Sequence, residues 1–290
     1  LKIIDLFSSK KENNKYVLSF EIFPPKKELP IDSIYMKLDN FKKLNPDFIS
    51  VTYGAGGSGK DRTIEISSKI INDYNIEAMA HFTCVGHSKE EIDKLLSELP
   101  PNNIENILAL RGDPPAGISD FNYTKGAFHY ASELIEYIKS KNNFSIAAAA
   151  YVEGHIDAIR IKDDLINLKT KVDMGVDFLI TQLFFDNRKF YDFLERIEIM
   201  GITCPVTTGI MPVFSTSQIK HIIKLCGASI TPEIFYMIDK HEKNPDDLKK
   251  AGIEYAIKQI NDLIENGVDG IHILTMNKPD VTAKILDGIK

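Results

Sequence analysis

The feature that most constrains this chain is an alternation that runs its whole length. A short apolar run with strand composition is followed by a stretch with apolar residues at helical spacing, eight times over. The strand-like runs fall at residues 16–23, 47–53, 77–84, 107–110, 145–151, 177–185, 204–210 and 269–274. Helical spacing marks residues 31–44, 61–74, 88–98, 127–140, 157–174, 188–200, 216–226, a pair within 232–265, and 280–289. Runs this uniformly apolar predict parallel strands covered on both faces. Parallel neighbours need right-handed crossovers, and eight such units close most naturally into a barrel. The predicted fold class is therefore α/β, a single-domain (β/α)8 TIM barrel, with an open doubly wound sheet as the competing arrangement. No Gly-x-Gly-x-x-Gly follows the first run, and Gly-rich residues 54–59 lack the Lys-Ser/Thr ending of a phosphate loop, which weakens the dinucleotide-sheet and P-loop readings.

Size and charge agree with that architecture. A (β/α)8 barrel typically takes about 250 residues, and this chain has 290, 43% of them hydrophobic. The expected domain is residues 1–290, one barrel with a short polar amino-terminal extension. A formal net charge of -6 gives no basic footprint for nucleic acid or an anionic membrane. Cys84, Cys204 and Cys226 are far apart and form no Cys-x-x-Cys, which argues against a disulfide framework and a structural zinc, so a reducing compartment is expected. No run approaches the roughly 20 apolar residues of a membrane span. Residues 1–10 lack the apolar centre of a signal peptide, so a soluble cytoplasmic protein is expected.

In such a barrel the site collects where the strands end. The run Ile107-Leu108-Ala109-Leu110 empties into Arg111-Gly112-Asp113-Pro114-Pro115, and Glu21, Thr52, His81, Tyr151, His155 and Gln182 lie in or just after other runs. Glu21 sits among Phe20, Ile22 and Phe23; a carboxyl group desolvated by them would be biased toward its neutral form, suiting a general acid. Exposure on a half-buried strand is its bland alternative. His81 is equally readable as a hydrogen-bonded interior histidine, and His155, near Glu153, as a solvated loop residue. Asp164, Asn167 and Lys171 share one helical face. That face is an ordinary solvated one unless it flanks the barrel mouth. Phe184, Phe185 and Tyr130, judged alone, read as packing. The histidines show no metal-ligand spacing, so no metal is expected.

Several segments, in order, resemble one family: Ser19-Phe20-Glu21-Ile22-Phe23-Pro24-Pro25, Val51-Thr52-Tyr53-Gly54-Ala55, His81-Phe82-Thr83-Cys84, Ala109-Leu110-Arg111-Gly112-Asp113, residues 164–171, and Thr181-Gln182-Leu183-Phe184-Phe185-Asp186. End to end, the chain resembles methylenetetrahydrofolate reductase. The resemblance implies bound FAD, NADH or NADPH as reductant, and a ping-pong hydride transfer that turns methylenetetrahydrofolate into 5-methyltetrahydrofolate. By likeness, Glu21 is the acid that helps open the folate's five-membered ring, and Asp113 the carboxylate beside flavin and pterin. Thr52, His81, Arg111, Gly112, Tyr130, Ala131, Tyr151, His155, Asp164, Asn167 and Lys171 match positions that line FAD, with Arg111 and Lys171 suited to its pyrophosphate. Gln182 matches a pterin contact and Lys278 a contact to the folate's glutamate tail. One departure stands out: where the family commonly has a substrate-stacking aromatic residue this chain has Thr216, with Phe214 as a substitute. The resemblance also implies homo-oligomers. The chain ends soon after the barrel, so control by S-adenosylmethionine is not expected. Two other readings are a flavin barrel acting on a small amine and a non-catalytic folate- or flavin-binding subunit.

Overall fold

The computed structural model describes residues 1–13, 15–26, 28–53, 60–113, 126–141 and 143–290. Gly-rich residues 54–59 and the Pro114-Pro115 stretch lie outside the described residues. Eight parallel strands form a closed barrel: β1 (Val17–Ile22), β2 (Phe48–Val51), β3 (Glu77–Thr83), β4 (Asn106–Leu110), β5 (Ser145–Ala150), β6 (Phe178–Thr181), β7 (Val206–Ile210) and β8 (Gly270–Leu274). Each pairs with its sequence neighbours, and β8 closes on β1 through Ser19↔His272 and Glu21↔Leu274. Every residue of β2, β6 and β7 is buried, as expected of strands walled by helices outside and side chains inside.

The helices that connect them are α2 (Asp32–Lys42), α3 (Lys60–Tyr74), α4 (Lys89–Glu98), α5 (Ala131–Lys141), α6 (Ile161–Asp173), α7 (Asn187–Ile199), α8 (Thr216–Cys226), α9 (Pro232–His241), α10 (Pro245–Glu265) and α11 (Pro279–Asp287). Two predicted elements differ in extent. The run at 177–185 stops being a strand at Thr181; Leu183 and Phe185 instead pack with Met211, Val213, Ile219 and Met237 beneath α8 to α10. Their apolarity belongs to the helical layer. The helices predicted from residues 127 and 157 begin at Ala131 and Ile161.

The amino-terminal segment, read as a polar extension, is a helix, α1 (Ile3–Glu12), that plugs the barrel. Ile3 and Phe7 lie one turn apart, and both are buried with Phe48, Met79, Leu108, Ala147, Phe178 and Ile180 in the barrel interior. The Phe7 and Phe178 rings are 5.1 Å apart, and the Ile3 N–H donates to Asn106 Oδ1 at 2.7 Å.

At the same end, three aspartates that precede strands cap the starts of neighbouring strands. Asp47 accepts from the Leu18 N–H (2.8 Å), Asp177 from Ile146 (2.7 Å) and Asp269 from Val206 (2.9 Å). A charged acceptor there satisfies an N–H that the ladder leaves over and so pins register. Since Phe7 fills the interior next to Phe178, Phe7→Ala should cost about 3 kcal/mol of stability in urea unfolding; a loss under about 1 kcal/mol would mean that α1 only rests on the barrel.

Candidate active site

At the opposite end, the interior changes from apolar to polar. Ser19 and Glu21 stand two apart on β1 and so face the same way, and the register sets Ser19 beside His272 and Glu21 beside Ser50. The Ser19 hydroxyl is 2.7 Å from His272 Nδ1. Ser50 Oγ lies 3.4 Å from His272 Nε2 and 3.3 Å from His81 Nε2, bridging the two rings. Glu21 Oε2 completes the group, 3.7 Å from His81 Nε2 and 3.8 Å from His272 Nε2. Those last contacts are electrostatic rather than formed hydrogen bonds.

Both histidines are buried, while 24% of the Glu21 side chain remains exposed to the mouth. Burial pushes His81 down to about 4; nearby Glu21 opposes that shift, and His272 adds to it. For Glu21, burial acts to raise the pKa, but the polar contact with His272 and the charges that His81 and His272 can carry outweigh it. The net direction is downward. This corrects the expectation that apolar neighbours bias Glu21 toward its neutral form: the two rings opposite it hold the ligand-free carboxylate ionised.

Beside this cluster, a cavity of about 490 Å³ opens between the ends of β4 and β5 and helices α5 and α6. It brings together Arg111, Tyr130, Ala131, Tyr151, His155, Asp164, Asn167 and Lys171, drawn from four separate elements. Another cavity of about 490 Å³ lies near Leu1 and Phe144, so chemistry rather than size singles this one out. Lys171 is the telling residue. Desolvation pushes it down to about 8 despite Asp164 nearby, and its ammonium donates to the Ala149 carbonyl oxygen at 2.5 Å. Burial also raises Asp164. The small Ala149 side chain of β5 leaves the cavity its depth. Tyr151 and His155 meet edge to face at 4.7 Å, and Arg111 reaches Asp157 at 3.4 Å. The loop carrying these groups is anchored through Glu153, which pairs with Lys189 and accepts from Ser229 N–H at 3.1 Å and Ser229 Oγ at 2.7 Å. The Asp164, Asn167 and Lys171 face therefore flanks the mouth, and Tyr130, expected to pack, has 61% of its surface exposed.

The remaining predicted residues surround these two groups without lining the cavity. Gly112 has φ +88°, and a Cβ there would sit 2.7 Å from Val85 Cγ1 and 2.8 Å from Thr83 Cβ, so the turn between Arg111 and the exposed Asp113 requires glycine. Thr52 N–H donates to the Ile22 carbonyl at 3.0 Å and the Thr52 carbonyl accepts from Thr63 Oγ1 at 2.9 Å. Gln182 follows β6, its Oε1 accepting from the Leu183 N–H at 2.8 Å. Lys278 follows β8, with its ammonium 4.4 Å from the centre of the Phe214 ring. Phe184 and Phe185 are buried, as expected. Ser19, Ser50 and His272 were not anticipated. Polar residues inside apolar strands, two positions from Glu21 or flanked by β-branched apolar residues, are the signal that could have found them. Among the described residues no group of three or more His, Cys, Asp or Glu side chains is arranged to hold a metal ion.

The family model of methylenetetrahydrofolate reductase matches residues 6–290. The chain belongs to the methylenetetrahydrofolate reductase family. It is 33% identical over 268 residues to the Escherichia coli (strain K12) 5,10-methylenetetrahydrofolate reductase, covering 92% of this chain and 88% of that one. Methylenetetrahydrofolate reductase (NADH) 1 of Arabidopsis thaliana is 35% identical over 288 residues, which are 96% of this chain and 49% of the plant protein. The chain thus spans about half the length of the curated plant relatives that it matches. A Clostridium thermocellum protein described as binding two copies of 5-methyl-5,6,7,8-tetrahydrofolic acid shares the fold, with a TM-score of 0.64 over 97% of both chains at 15% identity.

In this family member the polar cluster makes acid costly. A histidine depressed by burial stays neutral in the fold, whereas the unfolded chain takes up its proton near 6.5, so stability is lost as pH falls from about 6.5 toward 4. Glu21, also depressed, adds a loss of the same sign below the ordinary carboxylate range. Urea midpoints followed against pH should therefore fall on acidification, and His81→Asn should flatten the upper part of the curve. Parallel curves for the two proteins would refute a buried neutral His81.

Proposed function

We propose that this chain catalyses the reduction of 5,10-methylenetetrahydrofolate to 5-methyltetrahydrofolate, taking a hydride from NADH or NADPH through bound FAD in a ping-pong sequence. The observation that carries this reading is the pairing, on one barrel mouth, of an acid set against two histidines with a cavity holding a buried lysine. When bound, FAD supplies a carrier that accepts hydride from the nicotinamide donor and yields it to the folate. The donor set fits such a group. Lys171 spends one N–H on Ala149 and can offer others to a pyrophosphate, beside the guanidinium of Arg111. Asp164 and Asn167 on the same helical face can bond sugar hydroxyls, and Tyr151, His155 and Tyr130 offer rings. Ala131 completes the wall, and Thr52, His81 and Gly112, which lie outside the cavity, would meet the part of the flavin that extends toward Glu21. Asp113, which the family resemblance assigns beside flavin and pterin, would there hold the flavin potential down by its negative charge.

Glu21 acts on the substrate. Folate accepts a hydride only once its five-membered ring opens to an iminium ion, and the departing nitrogen needs a proton, which a carboxylic acid can give. The ligand-free carboxyl is held ionised, so it must gain that proton as the mouth fills. Displacing water from its remaining exposed surface strengthens the desolvation that already acts to raise its pKa. His272, with Nδ1 on Ser19 and Nε2 facing Glu21, is placed to steady the carboxyl in either state. Gln182 offers an amide to the pterin, and Lys278 a cation to the glutamate tail. Phe214, under Lys278, supplies an aromatic ring near the place where Thr216 has none. An aromatic face with a cation beyond it suits an extended anionic folate better than a small amine.

The test is an anaerobic visible spectrum of the purified protein, taken before NADH, after NADH, and after methylenetetrahydrofolate. Flavin bleaching and then recovery are expected. Glu21→Gln should keep its flavin and its bleaching by NADH but recover at least about 100-fold more slowly; a mutant recovering at the parent rate removes Glu21 from the reaction, and a colourless protein that FAD cannot reconstitute removes the flavin.

The buried lysine makes a separate forecast. Below about 8 it is charged before any anion binds; above that, binding must recruit a proton, so FAD affinity should fall about tenfold per pH unit until the pKa of the complex is reached. Titration of the apoprotein by flavin fluorescence between pH 7 and 9.5 would show this. Lys171→Met should bind more weakly at pH 7 and without that slope, and an unchanged slope would assign the proton elsewhere.

A further inference from the structure

We infer that Thr275 and Asn277 are positioning residues for Glu21, clamping the backbone at its carbonyl and at Phe23 just beyond it with side-chain hydrogen bonds. The inference deepens the reading of Glu21 as the acid and rests on it for its catalytic consequence.

The β1–β8 ladder makes its last pair at Glu21↔Leu274. Beyond it β1 runs through Phe23 into Pro24 and Pro25, which have no N–H to offer any ladder. Regular ladder register on the β8 side therefore ends at the residue that most needs to be held. The chain after β8 takes up the task with side chains. Thr275 donates twice to the Glu21 carbonyl oxygen, from Oγ1 at 2.7 Å and from its N–H at 3.3 Å. The Asn277 amide meets Phe23 as a peptide group would: Nδ2 donates to the Phe23 carbonyl at 2.8 Å, and Oδ1 accepts from the Phe23 N–H at 3.1 Å. Asn277 N–H in turn donates to Thr275 Oγ1 at 3.1 Å, joining the two contacts.

Two features mark this as more than a tidy loop. Thr275 is 1% and Asn277 7% exposed, so these bonds compete little with water. Met276 and Asn277 are also consecutive residues with φ of +51° and +54°, a left-handed conformation that side chains with a Cβ resist. Without that double turn the chain would continue along the strand direction, and the Asn277 amide would not reach Phe23. On the other side of β1, Thr52 N–H holds the Ile22 carbonyl at 3.0 Å. The acid is thus gripped from β2 and from the turn after β8, and its carboxyl is delivered to His81 and His272. Misplacing a reacting group by about 1 Å can cost about 100-fold in rate, so the clamp matters for a proton donor even where the fold survives without it.

The experiment uses the full-length holoprotein. Asn277→Gly deletes the amide but suits the left-handed turn, so it should fold; Thr275→Val deletes the hydroxyl and Thr275→Ser keeps it. Isotope-edited infrared titration of the Glu21 carboxyl, assigned by difference against Glu21→Gln, should show its pKa rising in Asn277→Gly and Thr275→Val as the carboxyl drifts from His81 and His272, with Thr275→Ser like the parent. In single-turnover mixing, the first two variants should reoxidise with methylenetetrahydrofolate about 10- to 100-fold more slowly while NADH reduces them within about twofold of the parent rate. A Glu21 titration that does not move in either variant overturns the inference, as does an equal fall in both half-reactions. A titration that moves, in a parent protein whose reduced flavin ignores methylenetetrahydrofolate, upholds the clamp and overturns the folate reading.

Discussion

The pairing of β1 with β8 is the constraint on which the rest of this structure depends. It closes the sheet, and the register that closes it lays Ser19 against His272 and carries Glu21 to the rim. A slip of one residue would turn Ser19 and Glu21 toward the helices and bring Phe20 and Ile22 into the mouth. Below the pair, the interior is a column of rings. Phe7 meets Phe178 at 5.1 Å, Phe178 meets Phe48 at 6.3 Å, and Phe48 stacks at 6.1 Å on the His272 imidazole itself. Packing that begins with a helix outside the barrel therefore ends by fixing the ring that faces the acid.

The two halves of the mouth use burial differently. In the cluster around Glu21, desolvation works against charge on both Glu21 and His81, but the polar contact with His272 and the charges that the two rings can carry reverse the outcome for the carboxyl, while burial holds His81 down. Along α6 no such reversal occurs: desolvation depresses Lys171 and raises Asp164, so each is displaced toward its uncharged form. A group held away from its preferred charge is primed for a ligand that supplies the missing counter-charge, because binding then recovers solvation lost on folding. The acid half is electrostatically satisfied before any ligand arrives, whereas the lysine half is not.

Much of this was legible in the sequence, and the failures have physical causes. Strand and helix periods differ so clearly in a parallel barrel that the eight units could be read off; the strand exits led to Arg111, Tyr151 and His155 of the cavity wall, a shared helical face to Asp164, Asn167 and Lys171, and the family resemblance to Tyr130 and Ala131. Ser19, Ser50 and His272 escaped because they sit within strands rather than at their ends, where a polar residue reads as an exception in an apolar run. Only the closed barrel, which faces several strands across one interior, makes them partners. The helix α1 escaped because two buried residues, Ile3 and Phe7, determine its place while six of its ten residues are polar or charged. The protonation bias of Glu21 was misjudged for a related reason: its sequence neighbours are apolar, but the groups that set its charge come from β3 and β8.

A parallel barrel leaves peptide groups over at both ends of its ladder, and this chain satisfies them with side chains at each end, to different effect. At the closed end, Asp47, Asp177 and Asp269 accept from the first N–H groups of neighbouring strands, and the result is register. At the open end, Thr63 bonds the Thr52 carbonyl, Lys171 the Ala149 carbonyl, Thr181 the Gly209 N–H, and Thr275 and Asn277 the backbone around Glu21. Those strand ends also carry the candidate site residues, and this is a consequence of geometry. Where pairing stops, the backbone is free to bend, and side chains recruited to satisfy it stand within reach of whatever enters the mouth. Lys171 would serve both purposes at once under the proposed function, completing the end of β5 with one donor and leaving others for an anion.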